Sequence, residues 1–302
     1  MTRSKRGPQL LDEIRPILDL PEEARIRHIR IPVWIDYPTA EKIHMEITDI
    51  IENPGPRTRL RNLLLVGSPN SGKSALAQNV AESYPTVDEI GRETAHRPIV
   101  SILAPPSPEE GRLYERLLAA INAPFSKSDR PESKLHQLVT LLPALGTRLI
   151  VLDEIHDMLT GNPKQSQKML NILKQLGTLT GCPILAIGLP SAINSLSTND
   201  QLGSRFAVMR LLAWENNQDF SLLLSSFEAV LPLEKPSHLT RASTQDLLYT
   251  WSEGLLGELS ELLQRAATKA IRTKADRITR EILNSVNWVA PSLRKPVRHG
   301  QG

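Results

Sequence analysis

Residues 62–81 read Asn-Leu-Leu-Leu-Val-Gly-Ser-Pro-Asn-Ser-Gly-Lys-Ser-Ala-Leu-Ala-Gln-Asn-Val-Ala. Leu63 to Val66 is a short apolar run of the kind a buried strand carries, and Leu76, Ala77, Val80 and Ala81 recur at helical spacing. Between them, Gly67-Ser68-Pro69-Asn70-Ser71-Gly72-Lys73-Ser74 fits the pattern G-x-x-x-x-G-K-[ST]. Strand, glycine-bearing loop and helix follow in the order a phosphate-binding loop requires. The bland alternative, a glycine turn before an ordinary helix, needs all of that spelling to arise by coincidence.

Each residue type has a task. Phosphates are charged and need many donors at close range. Gly67 and Gly72 let the backbone bend, so that the loop through Ser68, Pro69, Asn70 and Ser71 wraps a β-phosphate and the N–H groups of its residues other than Pro69 converge on it. A helix starting near Lys73 offers unpaired N–H groups and a partial positive charge. The Lys73 ammonium reaches the β- and γ-oxygens, and the Ser74 hydroxyl is a ligand for Mg²⁺. ATP and Mg²⁺ are therefore the expected ligands.

A second signal follows about eighty residues later. Leu149-Ile-Val-Leu-Asp153-Glu154 is a hydrophobic strand ending in two acids, the Walker B pattern. The strand sets both carboxylates at its carboxyl end, where open α/β sheets bind ligands. Asp153 is expected to hold Mg²⁺, directly or through water, and Glu154 to orient or deprotonate the attacking water. His156 reads as a surface histidine.

Composition closes off other classes. The single cysteine, Cys182, excludes an intramolecular disulfide framework and a cysteine-rich zinc site, and fits a reducing, cytoplasmic setting. The longest apolar runs are far too short to cross a bilayer, so no membrane association is expected. The N-terminus has basic residues but no signal-peptide core. Aromatic residues are only 4%, which opposes a single-strand binder built on stacking. Net charge is +3, with no overall polycationic signature.

Taken in order, residues 1–30 read as an N-terminal arm, interrupted by prolines and either partner-binding or solvated. Residues 31–214 form the nucleotide-binding α/β domain. In it, 31–37 line either an adenine pocket or plain core, helices cover 39–51 and 109–120, further strands cover 98–103 and 182–188, and 126–134 is polar and exposed. From 215 no good strand run remains. Helical patterns at 220–230, 244–251, 256–271 and 278–286 read as a small all-helical lid over 215–287, with Leu255, Leu256, Leu259, Leu262, Leu263 and Ala266 as its stripe. Residues 288–302 are a basic tail. From Arg265 onward nine Lys/Arg face only Asp276 and Glu281, a run that reads equally as a phosphate-contacting surface and as a solvated helix face.

The sequence resembles the AAA+ ATPases in its order of phosphate loop, Asp153-Glu154, Gly203-Ser204-Arg205-Phe206 and helical lid. More narrowly it is similar to the TniB proteins of bacterial transposons, relatives of TnsC and MuB, over roughly 25–287. Arg27-His28-Ile29, Trp34-Ile35-Asp36-Tyr37-Pro38, the stretch Arg61 to Gly67, the stretch Val151 to His156, and Leu231-Pro232-Leu233 carry that likeness.

The resemblance implies a parallel P-loop sheet flanked by helices, with a helical lid. It implies Arg205 as an arginine finger acting on a neighbouring subunit's nucleotide, with Arg210 as the fallback. The polar γ-phosphate sensor of such proteins is not evident in Gly188-Leu189-Pro190-Ser191, nor is a lid arginine near 254–259. The implied function is regulation of transposition. The protein would oligomerise as a ring or filament on duplex target DNA without reading sequence, recruit a DDE transposase, with a target-selection adaptor as a further partner, and reset by ATP hydrolysis. The alternative is an AAA+ adaptor or loader acting on a protein partner such as a helicase. A small-molecule kinase is opposed by Asp153-Glu154 and the finger candidate.

Overall fold

The structure, a computed structural model, describes residues 10–87, 95–159, 163–197 and 206–294. In chain order the main elements are α1 (Glu22–Ile29), α2 (Pro38–Glu52), β1 (Asn62–Gly67), α3 (Lys73–Glu82), β2 (Ile99–Leu103), α4 (Glu110–Ala120) and α5 (Pro131–Ala144). Then follow β3 (Leu149–Asp153), α6 (Ile155–Met158), α7 (Pro163–Thr180), β4 (Ile184–Gly188), α8 (Ser191–Ser197) and β5 (Phe206–Leu211). The last four are α9 (Gln218–Val230), α10 (Ala242–Ser252), α11 (Leu256–Arg272) and α12 (Arg280–Asn284). They make two compact units, Pro38–Leu212 and, separately, residues 10–37 with residues 213–294.

The first unit is built on a parallel sheet in the order β2-β3-β4-β1-β5. Its central strands are apolar without alternation because both their faces are covered. β1 and β4 are buried at every residue, and β3 at all but its terminal Asp153. Even the polar first residue of β1 is accommodated, since the buried Asn62 accepts the Ile184 N–H at 2.9 Å. Parallel neighbours cannot be joined by hairpins, and helices make the crossovers. The core runs from Leu64, Val66, Ile150 and Leu152 on the sheet to Leu113, Leu117, Leu138 and Leu173 on α4, α5 and α7.

Two local expectations change. Phe206 to Leu211 is a fifth strand, at the sheet edge, where half-burial replaces the continuous apolar run of the interior strands. Lys134, expected in an exposed polar segment, is buried. It lies on the inner face of the first turns of α5 and its ammonium meets Glu115 of α4 at 2.7 Å. Its aliphatic stem packs while its charge finds a partner.

The helical unit buries the α11 stripe. Leu259, Leu262, Leu263, Ala266 and Ala270 pack with Phe220 and Leu224 of α9 and with Leu248 of α10. Ile26 and Ile29 of α1 join the same cluster, so α1 is integrated with the helical unit rather than forming a separate arm. Tyr37, at the edge of the stretch considered for an adenine pocket, is buried with its ring edge-on to Trp214 at 5.0 Å. Residues 288–294 of the expected tail are also anchored. Trp288 donates to the Trp251 carbonyl at 2.9 Å, and Arg294 pairs with the buried Glu258 at 2.8 Å. Among the described residues no helix is long and apolar enough to cross a membrane.

Arg25 on α1 ties this unit together. Its side chain is 6% exposed, and its guanidinium donates to the Pro232 carbonyl at 2.8 Å and to Asp276 at 2.8 Å. Replacing it by alanine leaves a carboxylate and a carbonyl without their buried donor. Arg25→Ala is expected to destabilise the helical unit by about 3 kcal/mol. All four tryptophans (Trp34, Trp214, Trp251 and Trp288) belong to this unit. Urea unfolding followed by tryptophan fluorescence therefore reads it directly; an unchanged midpoint at unchanged slope would remove Arg25 from this role.

Candidate active site

The loop 67–74 joins the carboxyl end of β1 to the first turn of α3. Two of its glycines have specific causes. A Cβ on Gly67 would lie 2.5 Å from the Leu211 carbonyl oxygen and 2.7 Å from the Ser71 hydroxyl. Gly72 sits at φ 96°, ψ 8°, where a Cβ is strained, and from there the chain enters α3. Asn70, at φ 59°, is a residue type that tolerates the left-handed region.

Lys73 is the centre of the loop. Its side chain is buried, and its ammonium donates to the carbonyl of Ser68 at 2.7 Å, the carbonyl of Gly67 at 3.0 Å and the Ser71 hydroxyl at 3.4 Å. The loop is thus wrapped around its own cation. Burial pulls the ammonium pKa below the ordinary lysine value, while the negative charges of Glu154 and Asp153 oppose that shift. The first-turn N–H groups of any helix lack intrahelical acceptors, and the first turn of α3 holds no acid to neutralise their positive end.

The fold brings the two sequence signals together. Ser74 donates its hydroxyl proton to Asp153 Oδ2 at 2.6 Å, across 79 positions of sequence. The other Asp153 oxygen, Oδ1, accepts the Glu154 N–H at 2.8 Å, which fixes the carboxylate. A hydroxyl and a carboxylate this close are hard oxygen donors suited to Mg²⁺, which keeps its remaining positions for water and phosphate oxygens. The residues present therefore fit the expected nucleotide and metal.

Glu154 stands at a bend. It occupies φ 55°, ψ 39° between β3 and α6, a conformation costing a non-glycine residue about 1 kcal/mol. Its side chain is 45% exposed. His156, expected on the surface, is instead 20% exposed, and its Nδ1 lies 3.2 Å from Glu154 Oε2, at ion-pair distance without hydrogen-bond geometry. Its Nε2 lies 3.7 Å from Asp157. Gly188 at the end of β4 makes room for this corner: a Cβ there would stand 2.9 Å from Ile155 and 3.4 Å from the His156 backbone nitrogen. The sequence signal for His156 was its spacing, two residues after Glu154 in a one-turn helix.

Arg205 lies outside the described residues. The fallback, Arg210, is exposed on β5 beside Val66.

A parallel sheet in this order, five-stranded among the described residues, with a phosphate loop at the carboxyl end of β1 and a separate helical unit, is the AAA+ fold of the P-loop class. Solved structures agree on the fold. The ORC2 protein of Aeropyrum pernix (ADPNP–ADP complexes) superposes with a TM-score of 0.61 at 16% identity, over 86% of this chain and 70% of that chain. Cdc6p from Pyrobaculum aerophilum gives 0.61 at 17%, over 86% and 69%. Drosophila ORC bound to DNA gives 0.57 at 15%, over 95% and 68%. The model of the bacterial TniB protein family matches residues 25–216, and the chain belongs to that family. No curated protein matches it.

Proposed function

We propose that this chain is an ATP-hydrolysing, DNA-binding regulator of transposition that assembles on duplex target DNA and engages a transposase. The observation that carries the reading is the joining of Ser74 to Asp153 beside a buried Lys73, in a chain of the TniB family with the AAA+ fold. The ORC2 structure named above is of ADPNP–ADP complexes and the Drosophila ORC structure is bound to DNA, which favours the same two ligands for this chain.

In this mechanism the N–H groups of 67–74 and the Lys73 ammonium bind the β- and γ-phosphates of ATP. Ser74 and Asp153 would hold Mg²⁺, which would supply positive charge beside the phosphate oxygens. Glu154 orients the attacking water and accepts its proton. Arg205 completes the site of a neighbouring subunit, so hydrolysis depends on assembly into a ring or filament. Hydrolysis then resets the assembly. A target-selection adaptor is a further partner.

The test is binding of the purified protein to a random-sequence duplex with ATP, with a non-hydrolysable analogue and with ADP, alongside light scattering. The expected result is sequence-independent binding and large assemblies with the two triphosphates and loss of both with ADP. Intact ATP hydrolysis without DNA binding in any state would replace this reading by the protein-directed adaptor or loader.

A further inference from the structure

The basic run that begins at Arg265 divides into two sets. One set is engaged within the chain. Arg265 pairs with Glu261 and, together with Arg294, flanks the Trp288 ring. Lys269 donates to the Ser285 carbonyl at 2.5 Å, and Arg294 pairs with Glu258 at 2.8 Å. These cations hold the end of the helical unit in place.

The other set is not engaged. Arg272, Lys274, Arg277 and Arg280 are exposed and, among the described residues, make no ion pair; the same is true of Arg241, which immediately precedes α10. Of these, Arg241, Arg277 and Arg280 line one cavity of about 310 Å³ in the helical unit, with His238, Ser243 and Thr244. The carboxylates near it are committed elsewhere. Glu228 accepts the N–H groups of Ser237, His238 and Leu239 at 2.7, 2.9 and 2.9 Å, and so shapes the turn that presents His238 at φ 53°. Asp276 is taken by Arg25. Among the described residues Glu281 is the one acid on the cavity wall, and Thr279 and its own N–H bond its carboxylate. Those bonds hold its carboxyl below the usual range, helped by the nearby charges of Arg277 and Arg280. Among the described residues, three guanidinium groups thus share this cavity with a single, already bonded carboxylate.

We propose that this cavity binds a backbone phosphate of duplex DNA. Guanidinium groups match phosphate oxygens in pairs, and Arg, Ser and Thr side chains are the donors that hold a phosphate backbone without reading bases. The cavity is at the small end of ligand sites, which suits one phosphate with its flanking sugars. The inference rests on the DNA-binding part of the reading above and names where in the chain that binding is made.

The test compares two variants of the full chain, each losing two positive charges: Arg277→Gln/Arg280→Gln, and Arg30→Gln/Arg272→Gln from a separate cavity of the same unit. Affinity for a fluorescein-labelled random duplex is measured with the non-hydrolysable ATP analogue across a salt series. The first variant is expected to bind about tenfold more weakly, with the slope of log K against log salt smaller by about 0.9, the change that follows when one phosphate is no longer neutralised. The second is expected to keep the parent slope. Tryptophan fluorescence during urea unfolding checks that both variants keep the helical unit folded. Equal losses of affinity in both variants reduce the effect to diffuse charge and overturn the site. Parent-like binding by the first variant overturns it too, and if inorganic phosphate then perturbs the His238 ring resonances, the cavity belongs to a free anion. Binding of the first variant to DNA like the parent, with loss of binding to an oligoglutamate peptide, assigns it to an acidic protein partner instead. If the parent chain binds no DNA in any nucleotide state, the functional reading and this occupant fall together.

Discussion

Lys73→Ala is expected to weaken ATP binding by about 10²–10⁴-fold and to abolish ATP-dependent assembly. The size follows from what the ammonium does. Two charge-assisted hydrogen bonds to phosphate oxygens are worth about 1.5–3 kcal/mol each, and a tenfold change in affinity is about 1.4 kcal/mol. There is a second consequence. The same ammonium is bonded to the Gly67 and Ser68 carbonyls and the Ser71 hydroxyl, so its removal also strips the loop of the cation around which it is wrapped. Arginine does not substitute, because its larger planar group cannot enter the space a buried ammonium occupies. Isothermal titration with ATP and light scattering on the same samples provide the check. Assembly of the variant at parental ATP concentrations would sink the nucleotide switch, since no other cation is placed inside the described loop.

How much of this was legible in the sequence depends on where the determining physics lies. The stretch from Asn62 to Ala81 was readable because strand, loop and helix are each specified locally: by a continuous apolar run, by glycines at fixed spacing and by helical periodicity. The α11 stripe was readable for the same reason. β5 was not, because an edge strand keeps only part of its surface buried and Phe206 to Leu211 carries no continuous apolar run. Lys134 was misplaced because a lysine in a polar segment says nothing about a Glu115 contributed by another helix. The basic run was ambiguous for a related reason. Its division into engaged and free cations depends on Glu258, Glu261, Trp288 and the Ser285 carbonyl, partners only the fold supplies. Within the site, the motifs named the residues, but the 2.6 Å approach of Ser74 to Asp153 is a tertiary fact, whereas that of His156 to Glu154 is local, set by the bend at 154.

Glu154→Gln is expected to leave ATP affinity close to parental and to lower turnover by about 10²–10⁴-fold, the range general-base catalysis supplies. The amide keeps the shape and the bend at 154 but cannot accept a proton. Binding is spared because the phosphate donors, Lys73 and the first turn of α3, and the pair Ser74 and Asp153 are all untouched; the bond from the 154 N–H to Asp153 is a backbone bond and survives. If hydrolysis resets the assembly, the variant stays on DNA, and competitor-chase dissociation with ATP slows to the rate seen with the non-hydrolysable analogue. His156→Ala separates positioning from charge. It removes the ring 3.2 Å from Glu154 Oε2 but leaves the base itself, so its effect belongs on turnover and is smaller than that of Glu154→Gln. The combined variant should be no slower than Glu154→Gln alone, because a ring that acts through the carboxylate has nothing left to position. Parental turnover in Glu154→Gln, measured as phosphate release in the presence of DNA, would move the base to another residue and leave the strained bend at 154 without a catalytic reason.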